Sequence, residues 1–228
     1  MSLSRTHATR ALLAIFLLAA ASGAVTEDTP ERFDGLVPVP DSKADMAYFD
    51  PDADFSVFRQ VAILDPTVAF RANWQRDQNR SRSHNLRTAD VERIKEDVAN
   101  LLREVFIERL EGAGYHITTE AGEDVLIVRP AIVDLDITAA DVRTAGRSRT
   151  YTTSTGAATL YIELFDSLSG DILGRAADRR VARQAGNMMT WNNRVTNTAE
   201  ARRMFGRWAD QLVTFLGSYN VPNARAGK

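Results

Sequence analysis

The stretch from Asp124 to Gln184 most constrains the fold, because it holds most of the strand-like patterns in the chain. Within it, Ala158–Phe165 alternates between two sets of large side chains: Leu160, Ile162 and Leu164 against Tyr161, Glu163 and Phe165. Since both faces carry large residues, we expect this strand to lie centrally in a sheet. Asp166 to Gly170 has the residues of a tight turn. Ile172–Gln184 then returns as the partner strand, which predicts a β-hairpin.

The residues before this hairpin predict further strands. Asp124–Val128 and Ala131–Ile137 are rich in Val, Leu and Ile, and the second segment alternates after Val133. This alternation places the carboxylates of Asp134 and Asp136 on a solvated face. Because Pro130 has no amide hydrogen, we expect the strand to lie at an edge or to bend there.

Two amphipathic helices are predicted on either side of the strand-rich stretch. Thr88 is a suitable N-cap for a helix that runs to about Gly112. Asn197 and Glu200 have the spacing of a capping box for a second helix through about Tyr219. The predicted fold is therefore α+β, a mainly antiparallel sheet with two amphipathic helices packed on one side.

The segments before the first predicted helix have less regular patterns. Phe55–Val68 reads as the first strand, ended or bent at Asp65 and Pro66, and the polar segment Arg71–Arg87 reads as a loop. Four prolines in residues 25–54 argue against a regular helix. We expect 25–54 to be an extended leader segment, 55–219 a single α+β domain, and 220–228 a flexible tail.

The N-terminus has the layout of a signal peptide. Arg5 and Arg10 precede the apolar run Ala11–Ala21, and small residues follow up to Ala24. The run is too short for a membrane-spanning helix, so residues 1–24 are predicted to direct export and to be removed after Ala24. The chain has no cysteine, so no lipid-modified cysteine is available at that point. We expect a periplasmic protein without a lipid anchor and without a membrane span in the mature chain.

Composition argues against several kinds of function. Residues 25–228 keep all 30 acidic residues and lose Arg5 and Arg10 from the 28 basic ones, which leaves a net charge of about −4. That balance does not favour nucleic acid as a partner. The sequence contains no phosphate-binding loop, no dinucleotide fingerprint and no nucleophile elbow. With only His84 and His116 left after export and no thiolate, a zinc site is not expected either, and no cofactor is predicted.

Two groups of residues are the best candidates for ligand binding. Arg143, Arg147 and Arg149 lie in the segment Thr138–Thr155, which also carries many hydroxyl side chains. Guanidinium groups with hydroxyl donors suit carboxylate or phosphate ligands, although an ordinary polar connection between strands would have the same composition. Trp191, beside two asparagines, is a second candidate because tryptophan and amides together suit sugars, whereas a buried tryptophan is the alternative.

Four separate stretches resemble the DUF3313 family of bacterial envelope proteins. They are Phe55–Asp65 with Pro66, DVRTAGRSRT at 141–150, ELFDSLSGDILGRA at 163–176, and VTNTAEARR at 195–203. The resemblance covers about Gly35 to Leu216. It implies an exported protein with no assigned activity and no catalytic residues to carry over, since members are mostly predicted lipoproteins or exported proteins. The missing cysteine separates this chain from the lipoprotein members.

The sequence therefore favours a non-enzymatic exported binding or accessory protein of the cell envelope. Its partners would be envelope proteins, peptidoglycan or lipid headgroups. Two alternatives stay open: a hydrolase that uses the carboxylates of Asp134 and Asp136, and a subunit that pairs with a partner through an exposed edge strand.

Overall fold

A computed structural model describes residues 35–80, 85–137, 151–152, 156–181, 190–191 and 194–219. For 151–152, 190–191 and 194–197 it describes the backbone only. The strands are β1 Val37–Pro38, β2 Met46–Phe49, β3 Gln60–Ile63, β4 Thr67–Phe70, β5 His116–Ile117, β6 Val125–Asp136, β7 Tyr151–Thr152, β8 Ala157–Asp166, β9 Ile172–Val181 and β10 Thr190–Trp191. The helices are α1 Trp74–Arg80, α2 Thr88–Gly112 and α3 Arg194–Tyr219, and a short 3₁₀ turn spans Phe55–Val57.

Eight of the described strands form one mixed sheet in the order β1-β2-β9-β8-β6-β3-β5, with β4 also paired to β6. The four pairings β1–β2, β2–β9, β9–β8 and β8–β6 are antiparallel. In contrast, β3 runs parallel to β5 and β6, and β4 runs parallel to β6. The prediction of a mainly antiparallel sheet missed this parallel part. Parallel neighbours need a long crossover, and the 25-residue helix α2 supplies it by returning the chain before β5 and β6.

The predicted β8–β9 hairpin is confirmed. The two strands pair antiparallel from Ala157 opposite Val181 to Phe165 opposite Ile172, and β8 lies fourth in the sheet. In the turn, Asp166 Oδ1 accepts hydrogen bonds of 2.8 Å from the amides of Leu168 and Ser169. Gly170 has a φ of 74°, which glycine adopts without steric cost. Local turn chemistry and alternation were therefore sufficient to predict this unit.

Pro130 lies in the interior of the sheet, so of the two predicted alternatives, an edge or a bend, the edge is wrong. On one side it pairs with Ile162 of β8. On the other side, β3 pairs with β6 up to Val128, and β4 begins pairing at Ala131. Pro130 thus occupies the gap between two consecutive neighbours, where an amide hydrogen would have no strand partner.

Asp134 interrupts the alternation that the sequence predicts for the end of β6. Its φ is 51°, and the register with β8 shifts between Val133 and Asp136. This bulge leaves Val133 exposed and still turns Leu135 into the core. The simple two-residue period therefore fails at this point.

We expect substitutions at Asp134 to follow this backbone conformation. Asp134→Val should lower the free energy of unfolding by about 1–2 kcal/mol, because a β-branched residue strongly disfavours positive φ. Asp134→Gly should be neutral or stabilising, since glycine adopts this conformation freely. Urea unfolding of both variants measures the difference. Equal stabilities for the valine and glycine variants would contradict the proposed strain.

Helices α2 and α3 pack against each other and against one face of the sheet. Buried side chains of α2 and α3 share one core with the buried side of β6 and β8: Leu102, Val105, Phe106, Leu110, Phe205, Trp208, Leu216, Leu126, Val128, Ile132, Leu160, Ile162 and Leu164. Arg202 of α3 forms ion pairs with Glu104 and Glu108 of α2. The predicted packing of two amphipathic helices on one side of the sheet is thus confirmed. Their N-termini differ from the prediction: Arg87, not Thr88, is the N-cap of α2, and α3 begins at Arg194 instead of Asn197.

A third helix lies inside the segment predicted to be a loop. In α1, Trp74 is buried, its ring stacks on Phe70 with centroids 3.7 Å apart, and its Nε1 donates to the Ile137 carbonyl oxygen at 2.7 Å. Contacts with distant residues therefore stabilise a short polar helix that local periodicity does not predict.

The segment before residue 55 also contributes to the sheet. Residues 35–54, which the sequence assigns to a leader segment, contain β1 and β2, and β2 pairs with β9. Residues 1–34 and the tail 220–228 lie outside the described residues, and so does the predicted cleavage point. No helix in the described part of the chain combines the length and apolar character that a membrane crossing requires.

Candidate functional site

The arginine-rich segment predicted to bind anions cannot be placed, since Arg143, Arg147 and Arg149 lie outside the described residues. The backbone of Trp191 is in β10, where it pairs with Tyr151 of β7 in a separate two-stranded sheet. Its side chain is not described. Both ligand-binding predictions therefore stay predictions.

The two carboxylates considered for hydrolysis do not act as a pair. Asp134 is exposed on the bulge, whereas Asp136 accepts an ion-pair contact of 2.9 Å from Arg71 Nε. Arg71 also contacts Asp77 at 2.8 Å, and this bond, followed by the bond to Asp136, raises the pKa of Arg71. Asp136 is thus part of a structural ion-pair cluster with Arg71 and Asp77. His84 is not described, and the described residues contain no cluster of three potential metal ligands.

The described part of the chain contains a pocket of about 500 Å³ on the helix side of the sheet. Its floor crosses three neighbouring strands, in which Ala47 of β2 pairs with Ala176 of β9, and Ala176 pairs with Ile162 of β8. Leu160, Leu164 and Gly174 complete the floor. Small residues on β2 and β9 beside large ones on β8 create a depression between the sheet and α3.

Gly174 illustrates how closely the strands approach in this floor. A Cβ atom at this position would lie 3.3 Å from the carbonyl oxygen of Tyr48 and 3.5 Å from Cδ1 of Leu164. The contact with Tyr48 is tighter than usual and involves backbone, which cannot move aside cheaply. The absence of a side chain thus allows β2 and β9 to approach closely at this position.

Two walls enclose the pocket. One is the face of α3 that carries Trp208, Leu212 and Phe215, and the other is the connection of residues 39–44 between β1 and β2. Among the lining side chains, Thr214 and Ser218 donate to carbonyl oxygens of their own helix at 2.7 and 2.6 Å. The described lining includes neither histidine nor cysteine.

A buried carboxylate closes one end of the pocket. Asp178 of β9 is 4% exposed, and its Oδ2 accepts a hydrogen bond of 2.7 Å from Trp208 Nε1. Oδ2 also accepts from Nε of Arg180, two residues along the same strand face. A buried charge is stable only when it is paired and hydrogen-bonded, and these two donors meet that requirement. The cluster joins α3 to the β9 end of the floor.

The opposite face of the same hairpin carries a second buried carboxylate. Oε1 of Glu163 accepts from Arg175 Nε and the Tyr161 hydroxyl, each at 3.0 Å, and Oε2 accepts two bonds from Arg129, the Nε bond being 2.7 Å long. Burial raises the pKa of Glu163, but the bonds from Arg129 and Tyr161 and the charges of both arginines outweigh it, so the pKa is lowered overall. Burial, followed by the bond to Glu163, raises the pKa of Tyr161.

Sequence reasoning placed Glu163, Tyr161 and Phe165 on the correct face but did not foresee the pocket or either carboxylate cluster. Glycine and alanine at positions 174 and 176 of a strand opposite leucine and isoleucine are the local sign of a depression. That sign is weak, because small strand residues are equally compatible with a helix packed directly above them.

A search of curated protein sequences found no match. Solved structures to which this chain is similar include PelC from Paraburkholderia phytofirmans, a dodecamer (10% identity, TM-score 0.36, covering 68% of this chain and 89% of that one). Others are a minor lipoprotein from Acinetobacter baumannii (10%, 0.34, 74% and 99%) and a Xanthomonas campestris protein described as DUF330 (12%, 0.37, 79% and 94%).

Residues 22–212 match the model of the family described as protein of unknown function, DUF3313. This match spans most of the chain and includes the sheet, α2 and most of α3. The chain therefore belongs to the DUF3313 family.

Proposed function

We propose that this protein is a non-enzymatic, exported binding protein of the cell envelope, and that the pocket beside α3 holds an apolar ligand. The pocket itself carries the proposal. Its volume of about 500 Å³ lies in the range of small-molecule sites, roughly 300–1,000 Å³. An apolar floor with a few charged groups around it is the usual lining of such sites.

The packing of the surrounding core supports a pre-formed pocket. Ala47, Ala176 and Gly174 keep the floor low, while Trp208 and Phe215 are held in α3 by buried contacts. Trp208 also donates a hydrogen bond to Asp178. Because these elements are packed before a ligand arrives, binding would require little ordering of the protein, which favours affinity. Export rests on the N-terminal pattern of Arg5, Arg10 and the apolar run Ala11–Ala21.

Filling the floor of the pocket should weaken binding. The uncharged fluorophore N-phenyl-1-naphthylamine should bind the wild-type protein with a rise in fluorescence, and Ala176→Phe should weaken this binding about tenfold or more, equivalent to about 1.4 kcal/mol. The matched control is Ala177→Phe, because Ala177 is the next residue of β9 and faces the other side of the sheet. Fluorescence titration measures both.

Melting curves of the two variants show whether each remains folded. The absence of fluorophore binding by the wild-type protein would refute the proposed function. Equal binding by folded Ala176→Phe and Ala177→Phe variants would also refute it, because the fluorophore would then bind elsewhere.

A further inference from the structure

The charges around the pocket narrow the class of ligand, on the assumption that the proposed binding function is correct. Seven charged residues line it: Asp41, Lys43, Arg175, Asp178, Arg180, Arg207 and Asp210. Their partners decide which of them are available. Arg175 forms an ion pair with Glu163 on the opposite face of the sheet. Asp178 forms an ion pair with Arg180, and Asp210 lies 3.7 Å from Arg109.

After these pairings, the positive charges at the pocket exceed the negative ones. Lys43 and Arg207 form no ion pair with another described residue. Among the acidic side chains of the described lining, only Asp41 also forms no ion pair with another described residue. Lys43 and Asp41 both stand on the connection between β1 and β2, whereas Arg207 stands on α3. Cations on both walls therefore face a pocket whose local charge is about one positive unit.

Arg180 adds hydrogen-bond donors without adding net charge. Its Nε bonds Asp178, while its terminal nitrogens make no hydrogen bond to another described residue, and its side chain is 31% exposed. Guanidinium nitrogens arranged as a fork suit the oxygens of carboxylate and phosphate groups. Since Asp178 is already bonded to Arg180 and Trp208, its own charge is compensated and repels an incoming anion less.

From this arrangement we infer that the ligand is a single-chain anionic amphiphile. Its hydrocarbon chain lies over Leu160, Ile162 and Leu164, and its carboxylate or phosphate head lies among Lys43, Arg180 and Arg207. A neutral head would offer no charge to Lys43 and Arg207, which form no ion pair with another described residue, and a cationic head would be repelled by them. A ligand with a hydrocarbon chain and an anionic head matches both the apolar floor and the cationic walls.

The test compares amphiphiles that share a dodecyl chain and differ in the head group. Dodecanoate, dodecyl phosphate, dodecan-1-ol and dodecyltrimethylammonium each displace N-phenyl-1-naphthylamine from the wild-type protein, below their micelle concentrations. Either anion should bind about fivefold or more tightly than the alcohol, consistent with about 1 kcal/mol from partly exposed charges. The preferred anion identifies the head group as carboxylate or phosphate.

Charge variants connect this preference to the pocket. Lys43→Gln combined with Arg207→Gln should bind the anions no better than the alcohol, while the affinity for the alcohol stays close to that of the wild type. Arg203→Gln is the matched control, because Arg203 lies on α3, pairs with Glu200 and does not line the pocket. This control should keep the preference for anions.

The outcomes separate this inference from the proposed function. Binding of the fluorophore and the alcohol as tight as that of the anions would overturn the anionic head group and leave the apolar site in place. A preference for anions that survives in the double variant would overturn the assignment to Lys43 and Arg207. Failure of the fluorophore to bind the wild-type protein would instead remove the proposed function itself.

Discussion

Trp208→Ala is expected to lower the free energy of unfolding by about 3–5 kcal/mol, the cost typical of removing a large buried aromatic side chain. Trp208 is 2% exposed, and its ring stacks on Phe205 with centroids 5.8 Å apart. The substitution also removes the Nε1 hydrogen bond to the buried carboxylate of Asp178. Both the cavity and the weakened support of a buried charge act in the same direction. Urea unfolding followed by far-ultraviolet circular dichroism measures the loss.

Trp208→Phe separates the two contributions. It keeps most of the ring packing and removes the donor to Asp178, so we expect a smaller loss of about 1–3 kcal/mol. Arg203→Gln, an exposed change in the same helix, should alter stability by less than about 0.5 kcal/mol. A Trp208→Ala variant within 1 kcal/mol of wild type would show that α3 does not depend on this contact.

Glu163→Gln is expected to lower the free energy of unfolding by about 2–4 kcal/mol. Removing one member of a buried ion pair typically costs about 3–5 kcal/mol, and the lower range reflects Arg129, whose side chain is 54% exposed and can be hydrated. Arg175 is only 17% exposed and would lose its ion pair with Glu163 at the centre of the β8–β9 hairpin. The same urea experiment at neutral pH measures this loss. Glu123→Gln, at an exposed position, is the control.

The loss caused by Glu163→Gln should depend on pH. The pKa of Glu163 is lowered in the folded protein from an ordinary value of 4.5. Its stabilising contribution is therefore fully present above pH 4.5 and is lost as the pH falls through the folded-state pKa. The difference between wild type and variant should shrink below pH 4.5. A difference that is the same at neutral and strongly acidic pH would contradict a role for the charge.

The elements that the sequence determined by itself are those whose physical signal is local. The β8–β9 hairpin follows from alternating side chains on both strands and from Asp166 and Gly170 in the turn between them. The apolar faces of α2 and α3 follow from spacings of three and four residues, which one helix turn brings together. Export is predicted from a local pattern as well.

Tertiary structure decided the parallel part of the sheet and the location of the pocket. Which strands flank β6 depends on how α2 carries the chain across, and Pro130 is tolerated there because β3 ends and β4 begins beside it. The bond between Asp178 and Trp208 joins residues 30 positions apart, and Arg129 reaches Glu163 across 34. Charges and apolar residues that far apart leave no periodic pattern in the sequence. Only packing α3 against part of the sheet leaves Ala47 and Ala176 uncovered, and so creates a cavity from ordinary strand residues.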